Sequence, residues 1–421
     1  MRASICKSEL AGKVVAPSSK SYTIRGLMCA ALSRGGSKII NPLGSDDTEA
    51  SLDVLSKVGI RVLQSKDSWE VTGGDFCEPD SALFCRESAA TLRFMTAVCA
   101  LVPGKCCLTS APSLAARPVE PLVQALGQLG VYCRYQNTEG NLLVEGGNLR
   151  GGTTELPGDI SSQFVSALLL ISPFAEEGVI IRLTTPLESQ SYVLMTLDCL
   201  KKFGIRVHSS EDLREFETSR QTYKPVTYQV EGDWSSASYL LALGALCGGV
   251  EVDNLNPESL QGDKVILDFL KDMGASVTIG ENSVRVRKAR LKAIKANLVD
   301  SIDLLPTMAV LAAAAEGVSE FNGIERARLK ESNRVSALRE GLEGMGIKVL
   351  EEKNRLTVTG SPARGAVMDT RGDHRIAMAF SLLGLVVGGT VIDNAECVSK
   401  TYPDFWDTVK SIGGKVNIDG K

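Results

Sequence analysis

The sequence predicts an α/β (or α+β) protein assembled from six similar units of about 70 residues, and three observations carry that prediction. One pattern, an amphipathic helix end, a glycine and a short β-forming run, recurs six times. It reads LSKVGIRV at Gly59, LGQLGVYC at Gly130, LKKFGIRV at Gly204, LKDMGASV at Gly274, LEGMGIKV at Gly346 and VKSIGGKV at Gly413. A second pattern, an Ala/Leu-rich helix ending in glycine before a β-branched run, falls at Gly36, Gly104, Gly178, Gly249, Gly317 and Gly389. The third observation is the spacing: both series step by about 70 residues, and six such steps fill the 421-residue chain. The physics is local. Glycine after a helix adopts φ > 0 without a Cβ penalty, so it ends the helix and turns the chain into a strand. Each unit therefore holds two helices and several strands in layers. The polar, aperiodic segment Ser209 to Thr227, with Pro225, separates the third repeat from the fourth and predicts two lobes of three repeats, with a ligand in the cleft between them.

Composition removes whole classes of function. Forty-six Lys and Arg against 50 Asp and Glu leave a net charge of −4, and aromatics make up 5% of the chain. Neither suits a general nucleic-acid binder. Two histidines, His208 and His374, cannot build a His-rich metal cage. Eleven cysteines, an odd number without a C-x-x-C, fit free thiols in a reducing compartment. No uncharged apolar run reaches the roughly 18 residues that a membrane helix needs, so the expectation is a soluble cytoplasmic protein.

Taken in order along the chain, the helix starts carry the chemistry. PSSKSYTIR places Lys20, Ser21 and Arg25 at the start of the first helix, Ser21 and Arg25 on one face, where helix N–H groups favour an anion. RESAATLR puts small residues (Ser88, Ala89, Ala90) and Arg93 at a second helix start, as an anion contact or as ordinary capping. LAARPVEP sets Arg117 in a loop before Pro118, read as a helix start. Ser161, Ser162 and Gln163 open the helix of FVSALLL, and SQSY adds Ser189 and Tyr192. In the second half, Asp303 stands in the apolar stretch SIDLLPTMAVLAAAA, either an N-cap or a base with a raised pKa. LKESNR brings Lys330, Glu331 and Arg334 within five residues; two like charges at i, i+4 on a helix are unfavourable unless an anion lies between them. GDHRIAM supplies Asp373, His374 and Arg375 at a helix start, and VSKTYPDF puts Lys400 in the loop before the last helix. Cations on both halves of an acidic chain, with acids among them, suit a small polyanionic substrate bearing phosphate and carboxylate groups.

The order and spacing of SKSYTIR, ESAATLR, RPVEPLV, SSQFVSALL, EGDWSSASY, LQGD, LKESNR, GDHRIAMA and SKTYPDF resembles the 5-enolpyruvylshikimate-3-phosphate synthase family (3-phosphoshikimate 1-carboxyvinyltransferase) along nearly the whole chain. The resemblance implies two lobes of three βαβαββ units each, residues 19–230 and residues 1–18 plus 231–421. The first strand would cross into the C-terminal lobe. It implies transfer of the enolpyruvyl group of phosphoenolpyruvate to the 5-hydroxyl of shikimate 3-phosphate, with release of phosphate, through a tetrahedral intermediate. It implies no metal or cofactor, small-molecule partners, no nucleic acid or membrane, and a monomer. Around shikimate 3-phosphate it places Lys20, Ser21, Arg25, Ser161, Ser162, Gln163, Ser189, Tyr192, Asp303, Arg326 and Lys330. Around phosphoenolpyruvate it places Lys20, Ala89, Arg93, Arg117, Gln163, Arg334, Arg375 and Lys400. Asp303 matches the base for the hydroxyl, Glu331 and Lys20 match the groups that move the methylene proton, and His374 assists. Two departures stand out. Ala89 replaces a glycine that the family usually sets against phosphoenolpyruvate, which implies lowered sensitivity to glyphosate, and Arg326 stands where an asparagine is common. UDP-N-acetylglucosamine enolpyruvyl transferases are the nearest rival, but they carry Lys-Asn where this chain has Lys20-Ser21, and a cysteine where it has Pro112. A non-catalytic anion-binding protein is the third reading; Asp303, Glu331 and Lys20 argue against it.

Overall fold

The computed structural model describes residues 1–136 and 141–420. The chain forms two compact units, Ser18–Val230 and Met1–Pro17 together with Glu231–Lys421, each with its own apolar core. Among the described residues there are six four-stranded sheets, three per unit. They share one plan: an edge strand runs parallel to the second strand, and the remaining pairs are antiparallel. All six glycines of the first series have positive φ, between +83° and +100°. Each lies between a helix and a strand, so the left-handed turn expected there forms at every repeat.

The second series is less uniform. Gly104, Gly178, Gly317 and Gly389 have positive φ, but at Gly36 the turn residue is its neighbour Gly35. At Gly249 the reason for glycine moves one residue back and changes kind. Helix Trp234–Cys247 runs directly into strand Gly248–Asp253, and Gly248 is extended, with φ 166°. A Cβ there would lie 1.8 Å from the Leu10 carbonyl oxygen of the neighbouring strand, so close backbone approach selects the glycine.

The sheets are not all built from consecutive chain. Strand Leu10–Val15, which precedes the first helix, pairs in parallel with Gly248–Asp253 in the fourth repeat. The matching edge of the first sheet is filled instead by Thr227–Gln229, parallel to Gly35–Ile40. Arg2–Ile5 is inserted between Thr390–Asp393 and Val416–Asp419 in the sixth. Two N-terminal strands, rather than one, thus belong to the second unit. The units divide at Val230, just after the polar segment 209–227, but that segment is not all loop. Glu215–Thr218 pairs antiparallel with Val179–Leu183, and only its alternate residues, Phe216 and Thr218, are buried. A half-buried strand of that length resembles a polar loop when only its composition is read.

In each repeat the first helix is buried nearly all round. Trp234–Cys247 is buried at every position and Leu305–Ala314 at every position but the last, the mark of a central rather than an amphipathic surface helix. Helices Trp234–Cys247, Leu305–Ala314 and His374–Val387 pack on one another. In the first unit Ala89–Val98 packs on Ser162–Ile171 in the same way. The consequence for function is geometric: residues at the N-terminal ends of these inner helices come together within each unit.

Candidate functional site

In the first unit the site begins with caps. Ser19, Ser88 and Ser161 each accept a backbone N–H at the start of an inner helix, from Tyr22, Thr91 and Gln163. Lys20, the first residue of its helix, donates to Asp47 Oδ2 at 2.9 Å. Arg25 is almost wholly buried and spends its guanidinium on Thr196 Oγ1 (2.8 Å), the Tyr192 carbonyl (3.0 Å) and the Ser21 carbonyl (3.1 Å), between the rings of Phe94 and Tyr192. Burial pulls its pKa below the ordinary arginine value. Arg93 donates to Gln163 Oε1 (2.7 Å), Ser161 Oγ (3.1 Å) and the Pro118 carbonyl (3.0 Å), over the Phe164 ring. Those bonds draw Arg93, Gln163, Ser161 and the segment beside Arg117 into one group. Ser162 is the first residue of its helix and Ala89 the first of its own; both are buried. Ser189 sits in the left-handed region (φ +54°) before helix Gln190–Lys202, buried and three residues before Tyr192. The helix expected at Pro118 starts at Glu120 instead, with Pro121 in its first turn.

The second unit gathers opposite charges more densely. Asp303 Oδ1 lies 2.8 Å from Arg334 Nη1 and 3.3 Å from Lys330 Nζ, and its Oδ2 lies 3.4 Å from Arg375 Nη2. Arg334, 1% exposed, also reaches Glu331 Oε2 (2.6 Å) and both Asp373 oxygens (2.8 and 3.3 Å). Asp373 is fully buried, caps helix His374–Val387 by accepting the Arg375 N–H, and takes the Ser332 hydroxyl. Arg375 Nη1 donates to Ser235 Oγ at 2.5 Å. His374 opens that helix, buried, with Nδ1 3.9 Å from Asp373 Oδ1. Lys400 ends the turn Ala395–Lys400 and is buried. Arg326 donates to the Val299 carbonyl at 2.6 Å.

Two expectations change here. Asp303 is not an N-cap; it lies in the turn Ile302–Leu304 just before helix Leu305–Ala314, which has no side-chain cap. Nor is its pKa raised. Burial pushes it up, but Arg375, Lys330 and Arg334 overcome that and hold it well below the carboxylate range. The Lys330–Arg334 pair also does not share a helix, because Asn333 caps the helix that starts at Arg334. The anion between the two cations is Asp303. Burial brings the Lys330 ammonium down to about 8 against the pull of Asp303, while Arg334 stays charged above its ordinary value despite burial, through Asp373, Glu331 and Asp303.

Several participants had no sequence argument. Asp47 looks like an ordinary helix-start acid, and Thr196 and Ser166 lie far along the chain from Arg25. Ser235 falls inside EGDWSSASY, so that motif held the signal that could have found it.

Comparison with known proteins points to one family. The family model described as EPSP synthase (3-phosphoshikimate 1-carboxyvinyltransferase) matches residues 6–409. A 3-phosphoshikimate 1-carboxyvinyltransferase of Dehalococcoides mccartyi is 51% identical, covering 100% of both chains, and one of Methanothermobacter thermautotrophicus is 42% identical over 97% of each. Among solved structures, EPSP synthase from Acinetobacter baumannii superimposes with a TM-score of 0.84 at 24% identity over 100% of both chains. The enolpyruvyl transferase NikO from Streptomyces tendae gives 0.76 at 18% identity, covering 99% of this chain and 98% of its own. Among the described residues no helix is long and apolar enough to cross a membrane. With the inner-helix caps, the buried arginines and the Asp303 cluster in place, and relatives matched from end to end, this chain belongs to the EPSP synthase family.

Proposed function

We propose that this chain transfers the enolpyruvyl group of phosphoenolpyruvate to the 5-hydroxyl of shikimate 3-phosphate, in the shikimate pathway of the cytoplasm, and acts as a monomer on small molecules. The observation that carries the residue assignment is Asp303, a buried carboxylate held ionised by Lys330, Arg334 and Arg375. An ionised carboxylate accepts a proton, but one so strongly neutralised is a weak base. Substrate phosphate and carboxylate groups compete for the same cations, so their arrival raises the basicity of Asp303 when the hydroxyl is present.

The bond changes then balance. Asp303 takes the 5-hydroxyl proton as that oxygen bonds to C2 of phosphoenolpyruvate, and C3 gains a proton from Glu331 or Lys20. In the second half C3 returns the proton, the C2=C3 bond re-forms as the C2–O bond to phosphate breaks, and inorganic phosphate leaves with the proton that Asp303 had taken. Arg334 and Arg375, with Lys20, Arg93, Arg117, Gln163, Ala89 and Lys400, are assigned to phosphoenolpyruvate. Lys20, Ser21, Arg25, Ser161, Ser162, Gln163, Ser189, Tyr192, Arg326 and Lys330 are assigned to shikimate 3-phosphate. Fixed cations stabilise the charge that develops on the departing phosphate. His374 assists from beside Asp373.

The test is phosphate release under single turnover with that substrate pair. Asp303→Asn lowers the rate of intermediate formation by about 10²–10⁴-fold, the range of a lost general base, and Glu331→Gln slows its breakdown. Release with UDP-N-acetylglucosamine in place of shikimate 3-phosphate would overturn the substrate assignment.

A further inference from the structure

Arg25 is anchored by two hydroxyls that the assignment above does not use. Thr196 and Ser166 are fully buried, on helices Gln190–Lys202 and Ser162–Ile171. Arg25 Nε donates to Thr196 Oγ1 at 2.8 Å, and Thr196 Oγ1 lies 2.8 Å from Ser166 Oγ. Ser166 Oγ in turn lies 3.5 Å from Arg25 Nη2, which closes a ring of three side chains from three helices. Thr196 has one proton, for Ser166 or for the Tyr192 carbonyl at 3.0 Å. Arginine only donates, so Thr196 accepts from Nε whichever way that proton points. A guanidinium has five N–H donors. Nε is spent on Thr196, Nη1 gives one to the Ser21 carbonyl, and Nη2 gives both of its own to the Tyr192 carbonyl and Ser166. Among the described residues, the second N–H of Nη1 has no protein acceptor. The rings of Phe94 and Tyr192, with centroids 5.4 and 5.8 Å from the guanidinium carbon, resist tilting, and Thr196 on Nε resists rotation within the plane.

We propose that Thr196, braced by Ser166, is a positioning residue that sets the guanidinium of Arg25 so that its spare Nη1 N–H is presented to shikimate 3-phosphate. This rests on the assignment of Arg25 to that substrate. Burial makes the count of acceptors decisive. Without Thr196 Oγ1, Nε becomes a buried donor with no acceptor, which is costly. The guanidinium then turns in its plane to share the acceptors that remain, the Ser21 and Tyr192 carbonyls and Ser166, and the spare N–H is drawn off its ligand. The same ring joins the three helices whose first turns hold Ser21, Ser162, Gln163 and Tyr192, all assigned to shikimate 3-phosphate. Thr196 thus acts on binding of that one substrate, through Arg25.

Steady-state kinetics, with each substrate varied at a saturating level of the other, separates this role from a structural one. Thr196→Val removes the acceptor and nearly keeps the shape of the side chain. It raises KM for shikimate 3-phosphate by about tenfold, the worth of one hydrogen bond to a charged group, with kcat and the phosphoenolpyruvate KM within about threefold of wild type. Thr196→Ser keeps the hydroxyl and brings KM back to near wild type. Ser166→Ala removes only the brace and raises KM less than Thr196→Val. In an Arg25→Gln background, Thr196→Val raises KM for shikimate 3-phosphate no further, because it acts through Arg25; a side chain needed only for packing would repeat its loss there. Thr196→Ala and Ser166→Ala carry the test if the valine variant does not fold. An unchanged KM for shikimate 3-phosphate in Thr196→Val, a Thr196→Ser protein as impaired as Thr196→Val, equal losses in kcat and both KM values, or a full loss repeated in the Arg25→Gln background would overturn the proposal. Arg25→Gln alone is the control: if it leaves KM for shikimate 3-phosphate unchanged, the assignment of Arg25 fails, and the inference with it. A raised KM in Arg25→Gln beside wild-type values in Thr196→Val refutes the role of Thr196 alone.

Discussion

Lys330 is the side chain whose titration most directly reaches function. Its ammonium, lowered by burial to about 8, is protonated below that pH and neutral above it. If Lys330 serves shikimate 3-phosphate as proposed, a cation is lost from that substrate's contacts as pH rises, and kcat/KM for shikimate 3-phosphate should fall through a limb near pH 8, since that parameter reports the free enzyme. Lys330→Arg, permanently charged, should flatten the limb; a profile that keeps it assigns the titration elsewhere. Ala89 supports a second prediction. Its turn cannot retreat from a ligand, because the Ser88 hydroxyl takes both the Thr91 N–H and the Thr91 hydroxyl, and Thr91 in turn contacts Ser51 at 2.7 Å. The methyl must therefore be met by whatever binds against it. Ala89→Gly should lower the inhibition constant of glyphosate at least about tenfold while KM for phosphoenolpyruvate changes less than about threefold; the difference corresponds to ~1 kcal/mol of selective crowding, within the overpacking range. Equal changes in both constants would remove the steric account. At this scale the sequence was most informative where a residue type has few uses, as with Asp303 in an apolar run. It was least informative where bonding decides: nothing in SIDLLP shows that three cations from distant segments lower its pKa.

Elements were legible for a different reason. Helix ends repeat a local requirement, and local requirements leave a residue type behind. Gly346 has φ +87° and no atom closer than 4.0 Å to an added Cβ, so Gly346→Ala costs only the left-handed backbone, ~1–2 kcal/mol. Gly248→Ala meets the Leu10 carbonyl at 1.8 Å and must displace strand Leu10–Val15, an effect beyond ~3 kcal/mol, where large single-site values belong to such named mechanisms. Gly36, with neither positive φ nor a neighbour within 4 Å, should accept alanine within about 0.5 kcal/mol. Urea unfolding of the three variants checks the order; a Gly248→Ala protein no weaker than Gly36→Ala would refute the close-approach account. Sequence periodicity placed Gly346 and Gly36 in the two series, and fell at Gly249, one residue beyond Gly248. Only the strand register separates them, because a backbone contact with a residue more than two hundred positions away leaves no mark nearby. The same blindness hid Glu215–Thr218 in a polar stretch.

At the scale of the whole molecule, the exchange of edge strands decides which pieces of chain can fold. Residues 1–17 supply two of the strands in the second unit, Arg2–Ile5 between two partners and Leu10–Val15 at an edge. Deleting them leaves strands Thr390–Asp393 and Val416–Asp419 without the strand that joins them and strips Gly248–Asp253 of a neighbour. Residues 231–421 expressed alone should therefore lack a cooperative transition. The repair follows from the connection itself. The Asp233 N–H donates to the Pro17 carbonyl at 2.8 Å, so the two chain segments run side by side where they enter this unit, and a linker of a few residues can join 17 to 231. Such a fusion should unfold cooperatively in urea, with native near-ultraviolet dichroism. Residues 18–230, which hold both the first sheet and its borrowed edge Thr227–Gln229, should do so without repair. Each product keeps only part of the assigned set: Asp303, Glu331, Lys330, Arg334 and Arg375 in one, Lys20, Arg25, Arg93 and Gln163 in the other. Neither should release phosphate by itself. A cooperative 231–421 fragment would show that the borrowed strands are dispensable. A fusion that stays unfolded would show that the second unit depends on the first for more than its strands.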